Sequence, residues 1–273
     1  MTSTTQKTKA IQFRNMHSGS PILVLPNAWD AGSARLIESA GAKAIATSSA
    51  AVAWAHGYPD GQFLPFDTLL AAVREMTRVV SVPVSADIES AYAHDAATAA
   101  ATVARVVDVG AVGINIEDGN DPPALLAGKI ENLKTGARRA GVDLWVNARV
   151  DTYLRRLVPA ERAYDETVSR ARLYRDAGAN SIFVPAASEA ATIEKLVKAV
   201  VLPLNLLAWP GLPDGATLER LGVRRLSAGS GIGKVILNRT LELAKSFLAT
   251  GRSELFAEGA LSNPEINGLM RKN

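Results

Sequence analysis

The stretch Pro83-Val84-Ser85-Ala86-Asp87-Ile88-Glu89 reads as a short buried strand that ends in two acids. Val82, Val84 and Ala86 are apolar, and Pro83 stands at the strand's start, where a missing N–H costs least. Along an extended chain, residues two apart point to the same side, so Asp87 and Glu89 aim at one place. Two carboxylates aimed together repel unless something positive lies between them. A hard divalent ion with oxygen ligands, Mg2+ above all, meets that need. The plain alternative is a pair of solvated loop acids just past a strand.

Outward from this stretch the same unit recurs: helix, glycine, short apolar strand, polar end. Gly41, Gly110, Gly141, Gly178 and Gly222 each stop a helix and are followed at once by a strand. The expected strands are 22–25, 42–47, 82–87, 112–117, 143–149, 180–184, 202–205 and 223–227. Helical patterns lie near 8–17, 30–38, 67–80, 95–109, 123–140, 159–176, 188–199, 214–221 and 230–249, while 50–66 reads as a long turn. Strands without strict alternation, separated by helices, argue for a parallel sheet covered on both faces. Eight such units in about 230 residues match a (β/α)8 TIM barrel. An open doubly wound sheet is the competitor, but it calls for a glycine-rich turn after its first strand. Here that turn is Pro26-Asn27-Ala28-Trp29-Asp30. The expectation is a single barrel domain over 1–273, with a short N-terminal helix, the barrel at about 20–249 and extra C-terminal helices at about 250–273. Leu255, Phe256, Ile266 and Leu269 in that extension are expected to pack on the barrel or on a neighbouring subunit.

Composition narrows the function. Hydrophobic residues make up 48% of the 273, enough for a sizeable core, and aromatics only 5%. With no cysteine there is no disulfide, thiolate metal site or cysteine nucleophile, which fits a reducing, cytoplasmic setting. No apolar run reaches the roughly 18–20 residues of a membrane span. The polar N-terminus does not read as a signal peptide. The net charge is +3, and pairs such as Arg138-Arg139, Arg155-Arg156 and Arg224-Arg225 are scattered, so neither nucleic acid nor membrane is an expected partner.

In a barrel of this kind the chemistry sits at the C-terminal ends of the strands. Those ends carry Asn27; Thr47, Ser48 and Ser49; Asp87 and Glu89; Glu117 and Asp118; Asn147, Arg149 and Asp151; Asn205; and Ser227. The long turn after the second strand adds Trp54, His56, Tyr58 and Asp60, and Tyr92, His94 and Asp95 follow the acid pair. The opposite ends are mostly Gly, Ala and Val. Acids around a metal, with one arginine to fork a carboxylate or phosphate, suit a small anionic substrate. Ser48 and Ser49 could offer backbone N–H groups to a developing oxyanion. Plainer roles compete: Asp30 and Asp95 as helix caps, Asp151 as a partner of Arg149 or Arg155, His56 and His94 as loop residues.

Five motifs resemble the isocitrate lyase/phosphoenolpyruvate mutase superfamily, closest to its phosphonomutase-like branch. They are Pro26-Asn-Ala-Trp-Asp30, Gly57-Tyr-Pro-Asp60, Ala86-Asp-Ile-Glu89, Asn115-Ile-Glu-Asp118 and Asn147-Ala-Arg-Val-Asp151. The resemblance implies a (β/α)8 barrel, Mg2+ with Mn2+ as its substitute, a small carboxylate substrate, and a homo-oligomer, dimer or tetramer. It implies a lyase that cleaves a C–C bond of a 2-oxo or 2-hydroxy acid through a metal-stabilised enolate. Phosphonomutase or phosphonopyruvate hydrolase chemistry, and a barrel that only binds 2-oxo acids, are its alternatives. It places Asp87 and Glu89 at the metal, Asp60 and Glu117 there through water, and Thr47, Ser48, Ser49, Arg149 and Asn205 at the substrate. Asp60, Glu117 and Arg149 become the catalytic set. The chain departs from the family pattern with Ala91-Tyr92-Ala93 in place of Gly-Tyr-Gly. It lacks the gating-loop Cys of the lyases, and its nearest lysine to the mutases' loop Lys is Lys129, inside an expected helix.

Overall fold

The computed structural model describes residues 4–139 and 141–271; the expected end of one helix at 140 lies outside them. The strands are β1 (Leu23–Leu25), β2 (Asn27–Ala28), β3 (Ile45–Thr47), β4 (Val84–Asp87), β5 (Gly113–Glu117), β6 (Trp145–Arg149), β7 (Ser181–Phe183), β8 (Leu204–Leu207) and β9 (Arg225–Ser227). All ladders are parallel, and the strand order is β1-β9-β8-β7-β6-β5-β4-β3-β2. The two ends of that order are one stretch of chain. The expected first strand, 22–25, is β1; past Pro26, which has no N–H for the ladder, the chain adds a second short strand, β2, that was not expected. β1 pairs with β9 and β2 with β3, so this interrupted stretch closes the barrel.

Helices α1 (Thr4–Asn15), α2 (Ala31–Ser39), α4 (Phe66–Val79), α5 (Ala96–Asp108), α6 (Pro123–Arg139), α7 (Ala163–Asp176), α8 (Ala190–Val200), α9 (Gly215–Arg220) and α10 (Gly231–Thr250) fall where the periodicity placed them. In α5 the buried Ala99, Thr102, Val103, Val106 and Val107 form the inward stripe of a surface helix. Asp30 caps α2 in a reciprocal capping box with Ser33. Two expectations fail. The turn after β3 contains a helix, α3 (Ser49–Ala55), capped by Ser48; Ala50 to Ala53 are all buried, so it has no polar face to mark its period. The helix expected over 252–259 is a single 3-10 turn, Glu254–Phe256, because so short a segment between Gly251 and Gly259 cannot recover the cost of nucleation. The final helix α11 (Asn263–Met270) docks on α2, where Arg35 donates to the carbonyls of Leu269 and Arg271. Among the described residues no helix is long and apolar enough to cross a membrane.

The N-terminal end of the barrel is closed by α1. Phe13, fully buried, lies against Gly113, where an added Cβ would meet its ring at 2.7 Å. His17 stacks on Trp145 with ring centroids 4.1 Å apart. A polar layer crosses the barrel above this plug. Trp145 Nε1 donates to Ser181, Ser181 to Asn147, and Asn147 to Asn115. The fully buried Arg225 completes the layer, donating to Ser227 and Asn115. Its neighbour Arg224 is part-buried and bonds the carbonyl of Val223, so only one member of the Arg224-Arg225 pair enters the interior.

Candidate active site

Asp87 is the last residue of β4, and its carboxylate is fixed on one side by α3. Oδ2 accepts from the Ser49 backbone N–H at 3.3 Å and the Ser49 hydroxyl at 3.1 Å. The Asp87 N–H donates to Thr47 Oγ1 at 2.8 Å. The N–H of Ser48 is spent on the Ala28 carbonyl and its hydroxyl on the cap of α3. Ser49 and Thr47 therefore build the Asp87 corner, and Ser48 starts the helix that brings Ser49 there.

The strand does not continue to Glu89. Glu89, Ala91 and Tyr92 take left-handed backbone conformations, with φ of 52°, 71° and 50°. Such conformations cost roughly 1–2 kcal/mol each for residues with a Cβ. The two-apart argument from an extended chain is thus replaced by a turn. The turn still brings the acids together: the Glu89 N–H donates to Asp87 Oδ1 at 3.3 Å, and the Tyr92 hydroxyl to Glu89 Oε1 at 3.2 Å. Burial first, then the charges of Asp87 and Asp60, push the Glu89 carboxyl up to about 7. Burial also raises Asp87, against the attraction of Arg149. Asp60 stands on an exposed loop, close enough to act on Glu89.

Arg149 is the centre of a second knot. Its Nη1 pairs with Glu117 at 2.6 Å and its Nε with Asp151 at 2.7 Å. Arg155 reaches both acids, Asp151 at 2.9 Å and Glu117 at 3.5 Å. Burial raises Glu117, and the charges of Asp151, Asp87 and Glu89 add to it against the pull of Arg149. Arg149 is held in its charged form by Glu117, Asp151 and Asp87, which outweigh its own burial. Beneath lies a support that the sequence reading passed over. Asp118 accepts from the Tyr174 hydroxyl at 2.7 Å, from Arg170 at 2.9 Å and from the Asp151 N–H at 3.0 Å. The pattern Asn115-Ile-Glu-Asp118 shows two acids, but nothing in it says that the second turns inward to fix the loop after β6.

Asn205 is fully buried in β8, its Oδ1 accepting from Ser227 at 3.1 Å, so it belongs to the polar layer beneath the rim. His56 and His94 are exposed, on the turn after α3 and before α5. The site proper is therefore Asp60, Asp87, Glu89, Glu117 and Asp151 facing Arg149 and Arg155, an excess of carboxylate over guanidinium. That all-oxygen, negatively charged donor set fits a hard divalent cation. Among the described residues no three such side chains converge into a ready cage.

The phosphoenolpyruvate phosphomutase family model matches residues 13–271. The 2-methylisocitrate lyase of Escherichia coli K12 is 30% identical over 200 residues, 70% of this chain and 67% of that protein. A crystal structure from Burkholderia cenocepacia J2315, described as a lyase/mutase, superimposes with a TM-score of 0.89 at 30% identity, covering 97% of this chain and 96% of that one. Phosphonopyruvate hydrolase in complex with oxalate and Mg2+ shares the fold, with a TM-score of 0.84 at 24% identity over 98% of this chain and 95% of that one. The family match spans nearly the whole chain, and this protein belongs to the phosphoenolpyruvate phosphomutase family.

Proposed function

We propose that this protein is a Mg2+-dependent lyase that breaks a C–C bond of a small 2-oxo or 2-hydroxy acid, leaving an enolate. The observation that carries the reading is the Asp87–Glu89 pair at the end of β4: the Glu89 backbone N–H donates to Asp87 Oδ1, the Asp87 charge bears on the Glu89 carboxylate, and among the described residues neither acid forms a salt bridge. Asp87 and Glu89 would hold the ion, with Asp60 and Glu117 reaching it through water. When bound, Mg2+ supplies Lewis-acid polarisation of the substrate's 2-oxygen. Arg149 binds the substrate carboxylate: Nη1 and Nη2 each carry a second N–H beside those aimed at Glu117 and Asp151. Asn205, whose amide nitrogen finds no acceptor among the described residues, is the substrate contact from below. In a 2-oxo acid the electron pair of the breaking C3–C4 bond passes to the 2-oxygen as an enolate, and a proton then closes C3. In a 2-hydroxy acid the hydroxyl gives up its proton and becomes the carbonyl, and the pair passes to the carboxylate of the departing fragment, which a proton then closes at carbon. The Tyr92 hydroxyl, hydrogen-bonded to Glu89 Oε1 beside Asp87, is the proton carrier we assign from its position.

The lyase reading is preferred to P–C bond chemistry on one observation. Lys129 is buried in α6 with its ammonium on the Ser90 carbonyl, so the lysine nearest the loop after β5 is not free to reach a phosphonate. The test is calorimetric titration of oxalate, a planar enolate mimic, with and without Mg2+. Binding that requires Mg2+ supports the site; no binding under either condition overturns it. A steady-state screen of oxaloacetate, 2-methylisocitrate, isocitrate and phosphonopyruvate then separates the reactions, and turnover of the phosphonate alone would sink the lyase.

The same reading includes a homo-oligomer. Helix α10 buries only Gly233 and exposes Val235, Leu237, Leu241 and Leu248, while Val24 on the outer side of β1 is 55% exposed. A lone chain gains nothing from so much uncovered apolar surface, and a second copy would cover it. Sedimentation as a monomer at micromolar concentration would contradict this part.

A further inference from the structure

The loop that carries Glu89 is built against the preference of its own residues. Glu89, Ala91 and Tyr92 all sit at positive φ, and none is glycine. A Cβ at such a position crowds the neighbouring carbonyl, so the conformation persists only where the surroundings impose it. Several bonds restrain the loop. The Ala91 N–H donates to the Ile88 carbonyl at 2.8 Å, the Glu117 N–H of β5 to the Glu89 carbonyl at 2.9 Å, and the Glu89 N–H to Asp87 Oδ1. The Tyr92 hydroxyl donates to Glu89, and Gln62 to the Ser90 hydroxyl at 2.9 Å. One further restraint, on the Ser90 carbonyl, comes from a helix. Lys129, on α6, donates from Nζ to the Ser90 carbonyl at 2.9 Å.

Lys129 is an unusual residue for that place. It is 2% exposed. Among the described residues no carboxylate pairs with its ammonium directly; Asp121 and Asp95 attract it from a distance. A buried ammonium is expensive to hold, and a methionine would fill the same space without that cost. What a methionine lacks is a charge-assisted donor for the Ser90 carbonyl.

We propose that Lys129 is a positioning residue: its buried ammonium clamps the Ser90 carbonyl, holds Glu89 and Tyr92 in their left-handed conformations, and so keeps the Glu89 carboxylate beside Asp87. The consequence for ligand binding rests on the reading of Asp87 and Glu89 as the cation site; the clamp itself does not.

The experiment compares the parent with Lys129→Met, Ala91→Gly and the double variant, by hydrogen exchange and by calorimetry with oxalate and Mg2+. Lys129→Met should speed exchange at residues 90–93 by about tenfold, with the other strands unchanged. It should weaken Mg2+-dependent oxalate binding by about tenfold. Ala91→Gly, which takes positive φ freely, should restore most of both losses in the double variant. Alone it should change either by less than about twofold. Parent-like exchange at 90–93 in Lys129→Met, uniform loosening of the whole barrel, or no rescue by glycine would each overturn the clamp. If Lys129→Met does not fold, Lys129→Gln, an uncharged donor, is read by the same exchange pattern. If the parent binds no oxalate with Mg2+, the cation-site reading fails, and the exchange data alone decide the clamp.

Discussion

The two ends of this barrel handle buried polar groups in opposite ways. At the C-terminal end, five acids crowd two arginines: burial and then the charges of Asp87 and Asp60 raise Glu89, and burial raises Glu117 against the pull of Arg149. At the N-terminal end, His17 packs between Phe13 and Trp145, and burial first, then the charge of Arg225, lowers it to about 3. One end stores charge; the other keeps it out. A floor exists to be stable, so it is assembled from neutral rings and a helix. A site that must attract an ion or anion keeps unbalanced charge at some expense of stability. The contrast can be broken at either end.

The largest effect is expected from Arg149→Ala. It would leave the buried Glu117 and Asp151 with only the more exposed Arg155 between them, and losing one partner of a buried pair costs about 3–5 kcal/mol. Urea unfolding should show that loss, and an unchanged midpoint would mean that the knot is better solvated than its geometry implies. Asp87→Ala should weaken Mg2+-dependent oxalate binding by at least about a hundredfold, close to 2.7 kcal/mol. Its circular dichroism should match the parent, because the side chain lies at the rim. Parent-like affinity would remove Asp87 from the cation site.

At the floor, the prediction concerns pH. His17 has a folded-state pKa below its ordinary value of 6.5, so the unfolded chain takes up the proton first. Its contribution to stability is complete above about 6.5 and is lost as pH falls toward 3. His17→Phe should therefore lose about 2–3 kcal/mol less than the parent between about pH 7.5 and pH 4.5. Equal losses in parent and variant would show that His17 is not held neutral. The smallest effect belongs to Gly113→Ala, whose added methyl would meet the Phe13 ring at 2.7 Å and Ser85 Oγ at 3.0 Å. Overpacking of this kind costs about 1–3 kcal/mol, read as a lowered melting temperature with the C-terminal site intact.

Much of the barrel was legible because its signals are local. Glycines that end helices, short apolar strands and polar strand ends each depend on a few neighbouring residues, and the sequence carries them in order. Asp30 was legible as a helix cap in the same way, and the structure adds the reciprocal bond from Ser33. Helix α3 was not legible, since a fully buried run of small residues carries no period. Nor was β2, past Pro26: a proline marks a missing N–H but not which partners the chain on either side will take.

For the site, the sequence by itself determined the inventory: the acids at the ends of β4 and β5, and the arginine at the end of β6. Side-chain chemistry and the strand–helix repeat are enough to place those groups on one face. Only the tertiary structure decided how they engage. It turned Glu89 back through a left-handed bend to bond Asp87, tied Arg149 to Glu117 and Asp151, and brought Lys129 from α6 onto the Ser90 carbonyl. It also separated Arg224 from Arg225, two identical letters of which one bonds its neighbour's carbonyl and the other is sealed inside. The physical reason is common to all four. Each depends on which element packs alongside, and a backbone conformation or a buried charge is stable only when distant residues supply its partners.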